Sequence, residues 1–152
     1  MIKNDMNEKL SALLDKEDGL ITTLSNAAAL LWECVDDINW AGFYILKNGI
    51  LRLGPFQGKT ACTHIKMGNG VCGTAAKEDR TERVYNVHDF PGHIACDSAS
   101  NSEIVIPLHF NGEVAGVMDI DSTKIGRFDE NDQKTLEEAA RIIENAWSED
   151  LI

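Results

Sequence analysis

Two Asn-Gly dipeptides, Asn48-Gly49 and Asn111-Gly112, each stand between runs of alternating residues, and they constrain the fold more than any other feature of the chain. A type I′ turn needs positive φ at both central positions, which asparagine and glycine tolerate best, so each dipeptide predicts a tight antiparallel hairpin. In the first, Ile38, Trp40, Gly42, Tyr44 and Leu46 alternate with Ala41, Phe43 and Ile45, and Ile50-Leu51-Arg52-Leu53 returns. Apolar residues on both faces place this strand in the middle of a sheet. The second hairpin pairs Glu103 to Phe110 with Glu113 to Asp121.

Helical periodicity flanks the hairpins. Met6 to Leu14 forms one segment, and Leu20 to Val35 a second, with Leu20, Leu24, Ala28, Leu31 and Val35 along one stripe. Asp18-Gly19 breaks the chain between them, with Asp18 placed to cap the second helix. A last helix begins at Asp129, with Glu130 and Asp132 in its first turn, and runs through Leu136, Ala140, Ile143 and Trp147. Between the hairpins, Gly54 to Ser102 holds a short strand at Ala61 to Ile65, a short helix at Val71 to Lys77, and otherwise ordered loop. Loops of that length in a small domain are usually functional. The 152 residues thus read as one α+β domain. N-terminal helices cover about 6–35, a sheet of about six antiparallel strands with its loops about 38–121, and a C-terminal helix about 129–149.

Charge narrows the partners. Fourteen basic against twenty-five acidic residues give a net charge of −11, a field that repels phosphate backbones and anionic lipid. Nucleic acid is excluded, and no apolar run approaches the ~18 residues of a membrane span. Met1 to Met6 carries neither an apolar signal core nor an Arg-rich transit pattern, so a cytoplasmic location is expected. Cysteines in that reducing compartment are buried thiols, metal ligands or redox catalysts rather than structural disulfides.

The four cysteines, Cys34, Cys62, Cys72 and Cys96, are too far apart in sequence for a zinc knuckle. Cys34 falls near a helical apolar stripe and reads as a small buried hydrophobe. Cys72 lies in Gly70-Val71-Cys72-Gly73-Thr74-Ala75-Ala76, at a helix N-terminus, where the macrodipole favours thiolate. Cys96 lies in a loop close to His93; His64, His88 and His109 are scattered without metal-ligand spacing. Strand periodicity puts Asp119 and Asp121 on one face, roughly 7 Å apart, where they either meet solvent or hold a cation, metal or ammonium. A regular two-residue hairpin sets Glu103 opposite Ile120, on the wrong face to join them. One bulge would bring Glu103 level with Asp119 or Asp121, and Pro107 and Gly116 mark where it could lie. A bulge is therefore predicted. Trp40 and Tyr44 share one strand face, as core or as an aromatic wall for an apolar ligand group. No phosphate-binding glycine loop is present.

Five segments in order, Asn39-Trp40-Ala41-Gly42-Phe43-Tyr44, Leu53-Gly54-Pro55-Phe56-Gln57-Gly58-Lys59, Gly70 to Ala76, Phe90-Pro91-Gly92-His93-Ile94-Ala95-Cys96-Asp97-Ser98-Ala99-Ser100 and Asp119-Ile120-Asp121-Ser122, closely resemble the free methionine-(R)-sulfoxide reductases, small GAF-domain enzymes. The likeness runs from about Leu30 to Trp147. It implies a GAF fold with helices on one side of an antiparallel sheet. It also implies reduction of the free R epimer of methionine sulfoxide, a repair of oxidised methionine, with thioredoxin as external reductant and no bound cofactor or metal. By position, Cys96 matches the catalytic cysteine, and Cys62 and Cys72 the two other redox cysteines. Glu103, Asp119 and Asp121 match substrate-binding carboxylates, and Trp40 and Tyr44 the aromatic part of the pocket.

That chemistry needs a thiolate to attack the sulfoxide sulfur and a neutral carboxylic acid to protonate its oxygen. Glu103 or Asp121 is the candidate donor, Asp119 an ammonium anchor. A sulfenic acid at Cys96 would then be resolved by Cys62 or Cys72. Two other classes use the same residues: a GAF small-molecule sensor without turnover, and a metal-binding or thiol redox switch. The N-terminal helices offer a surface for a homodimer.

Overall fold

In the computed structural model, which describes residues 1–94, 96 and 98–152, both Asn-Gly pairs turn the chain back as expected. Asn48 and Gly49 have φ of 54° and 75°, Asn111 and Gly112 54° and 79°, the positive pairs of type I′ turns. The strands are β1 (Trp40–Lys47), β2 (Ile50–Gly58), β3 (His64–Lys66), β4 (Glu82–Val84), β5 (Ser102–Phe110) and β6 (Glu113–Ser122). They form one antiparallel sheet in the order β3-β2-β1-β6-β5-β4, with β1 and β6 at the centre. Four helices accompany them: α1 (Met6–Leu13), α2 (Leu20–Cys34), α3 (Gly70–Glu78) and α4 (Glu130–Asn145). None is long and apolar enough to cross a membrane.

The sheet divides the interior. On one face α1, α2 and α4 pack Leu10, Leu24, Leu31, Leu136 and Ile143 against Phe43, Ile104, Ile106, Met118 and Ile120. Side chains of this kind each contribute roughly 1.5–3 kcal/mol when fully buried, so this layer carries most of the stability. The other face is thinner: Trp40, Tyr44, Val105 and Val117 meet Val71, Cys72, Ala75 and Ala76 of α3. Helices therefore stand on both sides, not on one as the resemblance implied. The α3 layer leaves part of its sheet face uncovered by a helix, and the pocket described below lies there.

The predicted bulge is present. Leu108 pairs with Gly116 and His109 with Val114, so Ala115 is the extra residue, and beyond it Glu103 stands opposite Asp121. At Gly116 the bulged strand passes so close to β1 that an added Cβ would press into the Tyr44 carbonyl oxygen. A second irregularity sits at Gly54-Pro55, between the pairs Gly42–Phe56 and Tyr44–Leu53. It lets β2 continue to Gly58 rather than end at Leu53, with the proline at the irregularity.

Four expectations change. Asp18 does not cap α2: it belongs to a 3-10 turn, Lys16–Asp18. The first free N–H groups of α2, Leu20 and Ile21, donate instead to the carbonyls of Asp150 and Leu151, at 2.8 and 3.0 Å. β4 and a 3-10 turn at Val87–Asp89 interrupt what read as loop. β3 lies a little later than Ala61 to Ile65. α4 is capped by Asp129, as expected, through a reciprocal capping box with Asp132, but stops at Asn145 rather than near residue 149.

Candidate active site

The register across the three central strands stacks the candidate residues in rows. Trp40, Asp121 and Glu103 occupy one row across β1, β6 and β5; Gly42, Asp119 and Val105 the next; Tyr44 and Val117 follow. All these side chains face α3, and Trp40, Tyr44, Glu103, Asp119 and Asp121 line one cavity. Cys72 closes it from α3, with its Sγ 4.0 Å from Glu103 Oε2. His93, Ile94, Cys96 and Ser100 form the mouth.

The aromatic side chains hold the rim as well as the wall. Trp40 lies between Tyr44 and Phe56, with ring centroids at 6.0 and 5.1 Å. Its Nε1–H donates to the Lys59 carbonyl at 3.1 Å, and the Tyr44 hydroxyl donates to the Cys62 carbonyl at 3.0 Å. Both bonds fasten the segment 59–62 over the pocket. The opposite rim is tied at Ser100, whose Oγ accepts from Asn39 Nδ2 at 3.0 Å, and at Asn101, whose N–H donates to the Ser122 carbonyl. Across the mouth, Cys62 and Cys96 form a disulfide with Cα atoms 5.5 Å apart. Both cysteines are half-buried. Of the cysteines named from the sequence, Cys72 stays a thiol in the pocket and Cys34 a thiol in the opposite core layer.

Burial governs the electrostatics. Glu103 is only 7% exposed and Asp119 5%. Burial, with the charges of Asp119 and Asp121 beside it, pushes the Glu103 carboxyl well above its ordinary range. Burial also raises Asp119, but hydrogen bonds from Glu103, Cys72 and Asp121 pull the other way. Of the two acids, Glu103 is therefore the one pushed further toward its neutral form. Asp119 Oδ1 has no hydrogen-bond partner among the described residues. Burial and the same acids push the Cys72 thiol well up, which corrects the expectation of a thiolate at the start of α3. The macrodipole favours charge by about 0.3–1 kcal/mol, too little against burial beside a carboxylate. Tyr44 is raised mainly by burial, then by Asp119, and remains a neutral phenol. Burial and His88 lower His93, which stays uncharged at neutral pH.

Of the histidines, His93 alone lines the pocket. His109 lies elsewhere, bridging Asp79 at the end of α3 to Glu144 of α4 through bonds of 2.6 Å on each ring nitrogen. Sequence periodicity did not find Phe56, because the irregularity at Gly54-Pro55 breaks the alternation before it. Ser100 carried no signal beyond its place in a polar loop. Chemically, the pocket offers a buried carboxyl pushed toward its neutral form, a carboxylate oxygen without a hydrogen-bond partner among the described residues, an aromatic wall and a disulfide at one opening.

The GAF domain family model matches residues 20–148 of this chain. The free methionine-R-sulfoxide reductase of Escherichia coli (strain K12) is 51% identical over 140 residues, which are 92% of this chain and 85% of that protein. The reduced form of the Staphylococcus aureus fRMsr superposes with a TM-score of 0.91 at 48% identity, over 94% of this chain and 93% of that one. The same enzyme in complex with substrate superposes with a TM-score of 0.90 at 46% identity, over 97% and 99%.

Proposed function

Because the chain belongs to the GAF-domain family of free methionine-(R)-sulfoxide reductases, we propose that its pocket reduces free methionine (R)-sulfoxide by a cysteine relay that ends in the Cys62–Cys96 disulfide. The protein is an enzyme of that class. The observation that carries the mechanism is a disulfide at the mouth of a pocket whose floor holds two buried carboxyls, Glu103 and Asp119.

In this mechanism Asp119, with its unpaired Oδ1, and Asp121 take the substrate ammonium, while Trp40 and Tyr44 pack its apolar chain. Glu103 gives its proton to the sulfoxide oxygen as the Cys96 thiolate attacks the sulfur. The hydroxyl then passes from the substrate sulfur to Cys96 as the S–O bond and the transient S–S bond break, methionine leaves as the thioether, and Cys96 is left as a sulfenic acid. The Cys62 thiol attacks that sulfur, water leaves, and the disulfide closes. Its place at the opening supports Cys62 as the resolving thiol, and the protonated state of Cys72 argues against Cys72 as attacking thiolate. Thioredoxin then exchanges its dithiol for the half-buried disulfide, which is reachable from outside. An enclosed anionic subsite around the α-ammonium also accounts for the free substrate, since a peptide bond there has neither the charge nor the room.

The test couples racemic free methionine sulfoxide to thioredoxin, its reductase and NADPH. Loss of the R epimer alone, abolished by Cys96→Ser and kept by Cys34→Ser, is expected. Full turnover by the Cys96 variant, or no NADPH consumption by the parent, overturns the mechanism, and the latter result favours a sensor.

A further inference from the structure

We propose that Cys72, Glu103 and Asp119 bind a thiophilic divalent cation of the zinc class, which enters in place of the substrate and inhibits the enzyme. One donor atom from each residue lies within 4.8 Å of the other two. They come from α3, β5 and β6, so the cluster is built by the tertiary fold and not by one segment. All three residues are buried, Cys72 being 4% exposed. A second observation points to a ligand: Asp119 Oδ1, on a side chain that lines the cavity, is buried without a hydrogen-bond partner among the described residues. A buried unpaired carboxylate oxygen is costly, and a cation is the group that relieves it.

The donor set selects the class of ion. One thiol sulfur and two carboxylate oxygens, with the imidazole of His93 on the same cavity, form a mixed S/O/N set. Calcium and magnesium require six or more hard oxygens, whereas zinc takes four donors and accepts sulfur. Tetrahedral zinc at ordinary bond lengths separates its S and O donors by about 3.5–3.7 Å. The Cys72–Glu103 distance of 4.0 Å is within a small side-chain adjustment of that. Binding of a dication releases the protons of the Glu103 carboxyl and the Cys72 thiol, so the three donors with their ion keep the charge of −1 that Asp119 alone carries without it. Such an ion is an inhibitor rather than a resident cofactor. Competition with substrate rests on the proposed placement of the ammonium at Asp119; metal binding itself does not.

Closure of the Cys62–Cys96 disulfide leaves only Cys72 and Cys34 as thiols, so sulfur ligation can be assigned in the oxidised protein. Titration of that form with Co2+ should give a sulfur-to-cobalt charge-transfer band saturating at one equivalent and displaced by Zn2+. Cys34→Ser should retain the band and Cys72→Ser should lose it, with circular dichroism reporting folding. Should Cys72→Ser fail to fold, Asp119→Asn decides, since it keeps the thiol and should weaken Co2+ binding at least about tenfold. No band, a band that survives Cys72→Ser, or unchanged affinity in Asp119→Asn overturns the metal site. Free methionine should raise the apparent Kd for Co2+ in proportion to its concentration. An intact band indifferent to methionine overturns the competition and the ammonium placement while leaving the metal site standing.

Discussion

Replacing Glu103 by Gln should make the protein more stable at neutral pH while removing its proposed proton donor. The Glu103 carboxyl titrates near 4.5 in an unfolded chain, and burial beside Asp119 and Asp121 pushes it well above that in the folded one. Between those two values the native state binds more protons than the unfolded state, so stability falls as pH rises. For one proton the limiting slope is about 1.4 kcal/mol per pH unit, or up to about 2.7 kcal/mol between about pH 5 and pH 7. That figure is a ceiling, because burial raises Asp119 as well and the two neighbouring acids titrate together. The glutamine amide of the variant cannot titrate, and it can donate to Asp119 in every state. Urea denaturation of both proteins across this range isolates the effect, since the other ionisations are common to both. The stability of Glu103→Gln relative to the parent should climb with pH, and turnover should collapse. Parallel stability curves for the two proteins would show that Glu103 does not hold a proton in the folded state, and would remove it as the acid.

Burial alone would lower His109, but its hydrogen bonds to Asp79 and Glu144 outweigh that and raise it. Its stabilisation is therefore complete below about pH 6.5 and lost as pH rises through the folded value. Thermal melts of the parent and His109→Gln should differ most in mild acid and converge in alkali; a constant offset refutes the linkage. Gly116→Ala forces a methyl against the Tyr44 carbonyl and should lower the urea midpoint by roughly 1–3 kcal/mol equivalent, with an unchanged midpoint as the contrary result. Tyr44→Phe removes the bond to the Cys62 carbonyl, worth about 0.5–1.5 kcal/mol, and should slow disulfide closure roughly 2–13-fold in single-turnover thiol counting. Closure at the parent rate would show that the hydroxyl does not position Cys62.

The hairpins were legible because Asn-Gly acts locally, and the bulge at Ala115 followed from which face Glu103 must occupy to meet the aspartates. That inference needed only strand alternation and turn length. What sequence missed was decided far along the chain. The N-terminus of α2 is satisfied by carbonyls some 130 residues away, which no capping rule applied to Asp18 could anticipate. Likewise the acidity of Cys72 is set first by its burial and then by carboxyls on two strands of the sheet, not by its own helix. β4 is three residues of mixed polarity, Glu82-Arg83-Val84, whose strand character comes only from pairing with β5.

The bonds from Trp40 to Lys59 and from Tyr44 to Cys62 mean that, in the proposed mechanism, the walls that recognise the substrate are also the fasteners of the segment carrying the resolving cysteine. In evolutionary terms the two properties are epistatic. A variant that widens the pocket at either aromatic loosens the thiol relay in the same step, so a broadened substrate range is reached through paired changes. A library that varies Trp40 and Tyr44 together with residues 59–62 samples those pairs; one that varies the wall alone meets the redox defect first.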